Sequence, residues 1–131
     1  MGAAETLAGF FQAENDRDWE TYRTFLHADV VWHLHAEHER GVIQGIEEYL
    51  RAIQDAYHDS STRFRVEEMY ESARGEQVAV LLIDDGGKRS FEVFDFEDGR
   101  IRCEHEFLLA LIYSRRNAPQ GPPGQAREGA L

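Results

Sequence analysis

Leu7, Phe10 and Phe11 recur at helical spacing close to the N-terminus, which predicts a first helix over about residues 4–15. Asp18 stands as a natural N-cap for a second, short helix with Trp19, Tyr22, Phe25 and Leu26 along one face. The period then changes. Val30-Val31-Trp32-His33-Leu34-His35 is β-branched, aromatic and alternating, the pattern of a strand. The polar stretch from Ala36 to Gln44, broken by Gly41, reads as a loop. Gly45 opens the clearest helix of the chain, in which Ile46, Tyr49, Leu50, Ile53 and Tyr57 follow the i, i+3, i+4, i+7 rule. Glu47 and Glu48 sit in its first turn, where the helix dipole favours them, and Glu47 is spaced to pair with Arg51.

From Thr62 onward the pattern is a meander of strands over about 62–73, 77–84, 88–96 and 100–113, punctuated by Arg74-Gly75, Asp85-Gly86-Gly87 and Asp98-Gly99. Beyond Tyr113 the composition becomes Pro/Gly-rich. Residues 1–114 are therefore expected to form one domain, and residues 115–131 a flexible tail. Helices segregated from an antiparallel or mixed sheet define an α+β fold. Three amphipathic helices cover a long curved sheet unevenly, so one end is expected to enclose a pocket.

Composition narrows the partners. The 131 residues include 25 acids against 14 Lys and Arg, a formal net charge of −11 that repels phosphate backbones and anionic membranes. No nucleic-acid or membrane partner is expected. No apolar run reaches the roughly 18 residues of a membrane span, and Met1-Gly2-Ala3-Ala4-Glu5 lacks the layout of a signal peptide, so the expected location is cytoplasmic. A single cysteine, Cys103, excludes an internal disulfide and a multi-cysteine zinc site.

The order of elements resembles a known family, as do three segments: Ala28-Asp29-Val30-Val31-Trp32-His33, Gly45-Ile46-Glu47-Glu48-Tyr49-Leu50, and Phe94-Asp95-Phe96-Glu97-Asp98-Gly99-Arg100-Ile101. The chain resembles the SnoaL-like, polyketide cyclase-like branch of the nuclear transport factor 2-like superfamily, over about residues 5–113. The resemblance implies a cone-shaped α+β fold around a pocket, a homodimer formed through the sheet face, and a setting in secondary metabolism. It also implies chemistry without a cofactor.

In ketosteroid isomerases of that superfamily the first-helix tyrosine would fall at Phe10 and the general-base aspartate at Leu34, so both roles are lost here. The second oxyanion acid would fall at Glu92. In limonene-type epoxide hydrolases and in SnoaL-like cyclases the acid of the last strand matches Glu106, but the arginine and second aspartate of the hydrolase triad have only Asp84 to represent them.

Alternation along the last strand puts Ile101, Cys103, His105 and Phe107 on one face and Arg102, Glu104, Glu106 and Leu108 on the other. Alternation alone would turn the charged face to water; the resemblance turns Glu106 into the pocket. A carboxyl group in an apolar pocket keeps its proton to higher pH and can serve as general acid or base near neutrality. Glu106 and Glu92 are thus the candidate catalytic acids. The candidate substrate-binding residues are Trp32, Leu34, Tyr49, Phe10, Phe94, Phe96, Glu104 and Leu108, with Glu104 read as a solvated charge nearer the rim.

Four readings result, the last of them an accessory subunit whose exposed sheet face binds a partner. The first is a cofactor-free cyclase, isomerase or hydrolase acting on a small, largely apolar molecule. The second is a non-catalytic binder of the same fold. The third is a cupin-like metal protein using His33, His35 and His38, whose spacing with Glu39 resembles the first cupin metal motif.

Overall fold

The computed structural model describes residues 2–36, 38 and 40–109. The proposed tail, residues 115–131, lies outside the described residues.

Helix α1 spans Ala3–Asn15 and buries Leu7, Phe10, Phe11 and Ala13 along one face. Helix α2, Trp19–Thr24, starts as expected at Asp18, whose side chain accepts the Thr21 N–H at 3.2 Å. It buries Tyr22, which stacks on Phe10 with centroids 4.1 Å apart. Helix α3, Ile46–Ala56, buries Tyr49, Leu50 and Ile53 and leaves Glu47 and Glu48 exposed. Gly45 precedes it at φ 90°, a conformation that favours glycine, and donates its N–H to the Val30 carbonyl at 2.8 Å. The start of α3 is thereby pinned to the first strand.

Six strands form one mixed sheet. They are β1 (Leu26–His35), β2 (Arg40–Gln44), β3 (Phe64–Glu71), β4 (Gln77–Asp84), β5 (Arg89–Glu97) and β6 (Arg100–Leu108), arranged in the order β2-β1-β6-β5-β4-β3. Only the β1–β6 pair is parallel. The helices cover the inner face, where Val30, Val78, Val80, Phe94 and Ile101 are fully buried beneath Leu7, Phe10 and Tyr22. Burying each such side chain contributes about 1.5–3 kcal/mol, so this layer supplies most of the drive to close the cone. No helix among the described residues is long and apolar enough to cross a membrane.

Three expectations are corrected. The presumed loop before Gly45 contains β2, an edge strand paired with β1 from Val31↔Gln44 to His35↔Arg40. Glu47 pairs across the fold with Arg23, while Arg51 pairs with Glu48 at i,i+3. The strict alternation drawn for β6 fails at its start. Asp95 and Phe96 on β5 face Cys103 and Ile101, so Arg102 is an extra residue, a β-bulge. Its guanidinium is held by the Asp29 carbonyl at 2.6 Å. The bulge lets Ile101 point inward and still leaves Glu104 and Glu106 on the same inner face.

Candidate active site

Four carboxyl groups converge inside the cone. Glu104 and Glu106 alternate along the inner face of β6, and Glu92 on β5 is the direct register partner of Glu106. Glu14 comes from the last turn of α1. One carboxyl oxygen from each of Glu92, Glu104 and Glu106 lies within 4.8 Å of the others. Glu92 is 7% exposed and Glu104 4%. Glu104 is therefore a deeply enclosed acid, contrary to its reading as a solvated charge near the rim.

Such a group cannot be fully ionised. Two unit charges at about 4 Å repel by about 4 kcal/mol at an effective dielectric constant of 20, before any cost of leaving water. Protons must remain on the cluster. Burial, more than anything else, raises the proton affinity of Glu92 and Glu104, and the neighbouring Glu106 charge adds to it in both. Glu106 is raised too, by burial, against the lowering effect of the Trp32 indole N–H, which donates to it at 3.1 Å. Glu14 is pushed up to about 7 by burial, although it accepts from Tyr57 at 2.6 Å and from Tyr22 at 3.0 Å.

Hydroxyl groups join these acids into a chain. Tyr49 donates to Glu104. The Tyr49 and Tyr22 oxygens lie 3.5 Å apart, and Tyr22 and Tyr57 both reach Glu14. Burial, followed by the adjacent glutamate, raises the proton affinity of all three tyrosines, so they stay neutral donors. A proton arriving on Glu104 could donate back to the Tyr49 oxygen. That would free the Tyr49 hydroxyl to turn toward Tyr22. The arrangement thus links acids on opposite sides of the cone without a charged intermediate residue.

A cavity of about 210 Å³ opens onto part of this set. Glu14, Tyr57, Leu82, Ser90, Glu92 and Glu106 line it, together with Phe64, the exposed Lys88 and the half-exposed Leu108. Ser90 donates to Glu92 at 2.9 Å. The volume is below the roughly 300–1,000 Å³ of drug-sized sites, so it suits a small molecule or one end of a larger one.

One wall is braced from the end of α1 and the turn after it. Asn15 gives and accepts one hydrogen bond with the Phe64 backbone, both at 2.9 Å. Arg17 lies over the Tyr57 ring at 4.0 Å and donates to the Ser60 and Thr62 carbonyls at 2.9 and 2.7 Å.

Of the residues proposed from sequence, Glu92, Glu106 and Leu108 line the cavity, Leu108 at its edge with half its surface exposed. Trp32 is not on its wall but donates to its Glu106, and Tyr49 donates to Glu104, which the cavity does not reach. Leu34, partly buried, is the register partner of Glu106. Phe10 and Phe94 are core residues packed edge to face at 6.1 Å. Phe96 borders a different depression, beside Gly2 and Thr6. His33 and His35 lie on the outer face, in register with His105 and Phe107. His38 is exposed between β1 and β2, and Glu39 lies outside the described residues.

Glu14 was not among the sequence candidates for chemistry, and Tyr22 and Tyr57, on buried helix faces, could be read there as core or as pocket residues, with Tyr49 preferred as the hydroxyl donor. The signal for Glu14 was its place four residues after Phe10 and seven after Leu7, on the buried stripe of α1.

A helix-lined cone over a mixed sheet is the fold of the nuclear transport factor 2-like class of small α+β proteins. Within that class the match to the SnoaL-like domain family covers residues 7–104, and the chain belongs to that family. No curated protein matches it in sequence.

Among solved structures, IdmH of Streptomyces antibioticus, a candidate polyketide cyclase, is similar at 23% identity. The match covers 81% of this chain and 91% of that one, with a TM-score of 0.68. A candidate ketosteroid isomerase of Kribbella flavida is 22% identical over 94% of this chain and 84% of its own, also at 0.68. A nuclear transport factor 2-like protein of Cytophaga hutchinsonii, of unknown function, is 15% identical over 82% and 90%, again at 0.68. At these identities the likeness establishes the fold and leaves the chemistry to the residues present.

Proposed function

We propose that the protein is a cofactor-free acid–base enzyme. It would move a proton on a small, largely apolar molecule in a cyclisation, isomerisation or hydrolysis. The observation that carries this reading is the Glu92–Glu106 pair on the cavity wall, directly opposite in register, with Glu106 held by the Trp32 indole. Two carboxyls that resist ionising together divide the roles: one keeps its proton as general acid while the other accepts one as general base. Glu106 is the proposed proton carrier, Glu92 its partner, and the Glu104–Tyr49–Tyr22–Glu14 chain a route for the proton to leave. The candidate cyclase and isomerase among the similar structures agree with this class of reaction.

The test begins with mass spectrometry of small molecules that co-purify with the protein. With the ligand in hand, Glu106→Gln is expected to lower turnover by about 10²–10⁴-fold with binding changed only a few-fold. Full turnover by the variant would refute the assignment. Tight binding with no conversion by the wild type would favour the non-catalytic binder.

Two copies are proposed to associate through the outer sheet face, which carries Val42 on one edge strand and Tyr70 on the other, 57% and 58% exposed, with Phe91 and Phe107 on the strands between. A solution mass of 15.1 kDa by light scattering would remove that part of the proposal.

A further inference from the structure

The outer face of the sheet carries a second cluster that the acid–base reading does not use. His33 on β1 and His105 on β6 are register partners, with ring centroids 4.3 Å apart and planes within 5° of parallel. Cys103 precedes His105 by two residues and pairs with Val31, so its thiol shares that face. One ligand atom from each of His33, Cys103 and His105 falls within 4.8 Å of the others. His35 adds a fourth ring, its Nε2 3.1 Å from His105 Nδ1.

We propose that His33, His105 and Cys103 form a binding site for a borderline-soft divalent transition-metal ion, Zn²⁺ in the first instance, with His35 orienting the His105 ring. The donor set is the argument from chemistry. Two imidazoles and a thiol suit Zn²⁺, whereas Mg²⁺ and Ca²⁺ seek oxygen.

Geometry agrees to within side-chain adjustment. Zn–N bonds of about 2.0–2.1 Å and a Zn–S bond of about 2.3 Å put tetrahedral ligands roughly 3.3–3.7 Å apart. Closing the set takes about 1 Å of movement and a swing of one imidazole out of the parallel stack. The strand ladder holds the backbone in place, and all three side chains are only partly buried.

The surroundings favour a cation. Asp95 faces Cys103 directly across the β5–β6 register, and the chain as a whole carries a charge of −11. In the tautomer that donates the His105 Nδ1–H to His35 Nε2, 3.1 Å away, the Nε2 lone pair of His105 is left for the ion, as an outer-shell acceptor arranges in metal sites. None of these residues lines the acid-walled cavity. The ligand set also differs from the sequence-spaced His33, His35 and His38.

The experiment is calorimetric titration of ZnCl₂ into untagged, chelator-stripped protein, repeated for variants whose metal-free melting matches the wild type. One ion per chain is expected. Cys103→Ser and His33→Ala should each weaken binding at least roughly tenfold, and His35→Ala by about tenfold. His58→Ala, at an exposed histidine beside Asp59, should leave binding unchanged. His33→Gln replaces His33→Ala if the latter unfolds. Co²⁺-loaded protein should show thiolate-to-metal charge-transfer absorption that Cys103→Ser abolishes. Absence of stoichiometric uptake overturns the site. So does uptake that Cys103→Ser and His33→Ala both retain, including uptake lost instead in Glu106→Gln.

Discussion

Replacing Glu14 by Gln should change how the stability of this domain depends on pH, with a sign opposite to that of most carboxylates. Burial raises the Glu14 proton affinity from 4.5 to about 7 in the fold. The unfolded chain ionises near the lower value. A raised carboxyl contributes stability that is fully present below about pH 4.5 and is lost as pH climbs through about 7. The interval of roughly 2.5 pH units, at about 1.36 kcal/mol each, amounts to about 3 kcal/mol. That is a large share of the 5–15 kcal/mol typical of small domains.

The amide of Gln nearly preserves the shape and does not titrate. Tyr57 or Tyr22 must adapt to its NH₂, but that cost is the same at every pH. Urea unfolding of both proteins from about pH 4.5 to 8 would measure the difference. Glu14→Gln should gain about 3 kcal/mol relative to wild type across this window, while contributions from acids common to both largely cancel. A flat difference would mean that Glu14 titrates normally inside the fold. A difference of opposite sign would mean that its hydrogen bonds outweigh its burial. Either result would refute the description of a proton-holding interior.

Tyr49→Phe removes the donor to Glu104 and leaves a buried carboxyl unpartnered on that side; the expected loss is about 1–3 kcal/mol in chemical denaturation. Because that hydroxyl lowers the Glu104 proton affinity, the variant should also lose stability more steeply as pH rises. Asn15→Ala breaks both bonds to the Phe64 backbone and should cost about 1–3 kcal/mol. Amide exchange at Phe64 should accelerate more than at Phe94, which the substitution does not touch.

The elements easiest to read from sequence were those whose burial has a period. α3 repeats its apolar residues on one stripe, and β4 alternates buried and partly exposed positions. β2 has no fully buried position, and its Arg40-Gly41-Val42-Ile43-Gln44 looks like loop chemistry because an edge strand draws its stability from backbone pairing with β1. The phase of β6 required the bulge at Arg102, which no local pattern announces.

Glu92 and Glu106 could be placed together because strands read as a meander have computable neighbours. The cavity wall expected at Phe94 and Phe96 failed because face alone does not give depth: Phe94 is covered by Phe10 and Phe11, and Phe96 lies toward the other end of the sheet. Glu14 was hidden by its type, since a glutamate near a helix end ordinarily solvates that end. His33 and His35 lie opposite Trp32 in the alternation of β1, but their meeting with Cys103 depends on the parallel β1–β6 pairing.

Strand β6 has, in effect, a reading frame. In the frame set after Arg102, glutamates at 104 and 106 look into the cone while Cys103, His105 and Phe107 look out. Arg102 is the one residue that the ladder with β5 does not count, so removing it would straighten the strand and leave both faces as they are. Removing one residue between 103 and 106 would do something different. It would shift the positions before the lesion by one, against the anchor that Ile101 makes to the Phe25 carbonyl at 2.9 Å. If that anchor held, the positions beyond the lesion would exchange sides, and the interior would receive Phe107 in place of Glu106. A single codon thus decides whether this position of β6 turns a carboxyl or a phenyl group into the cone, with no change to the helices that roof it.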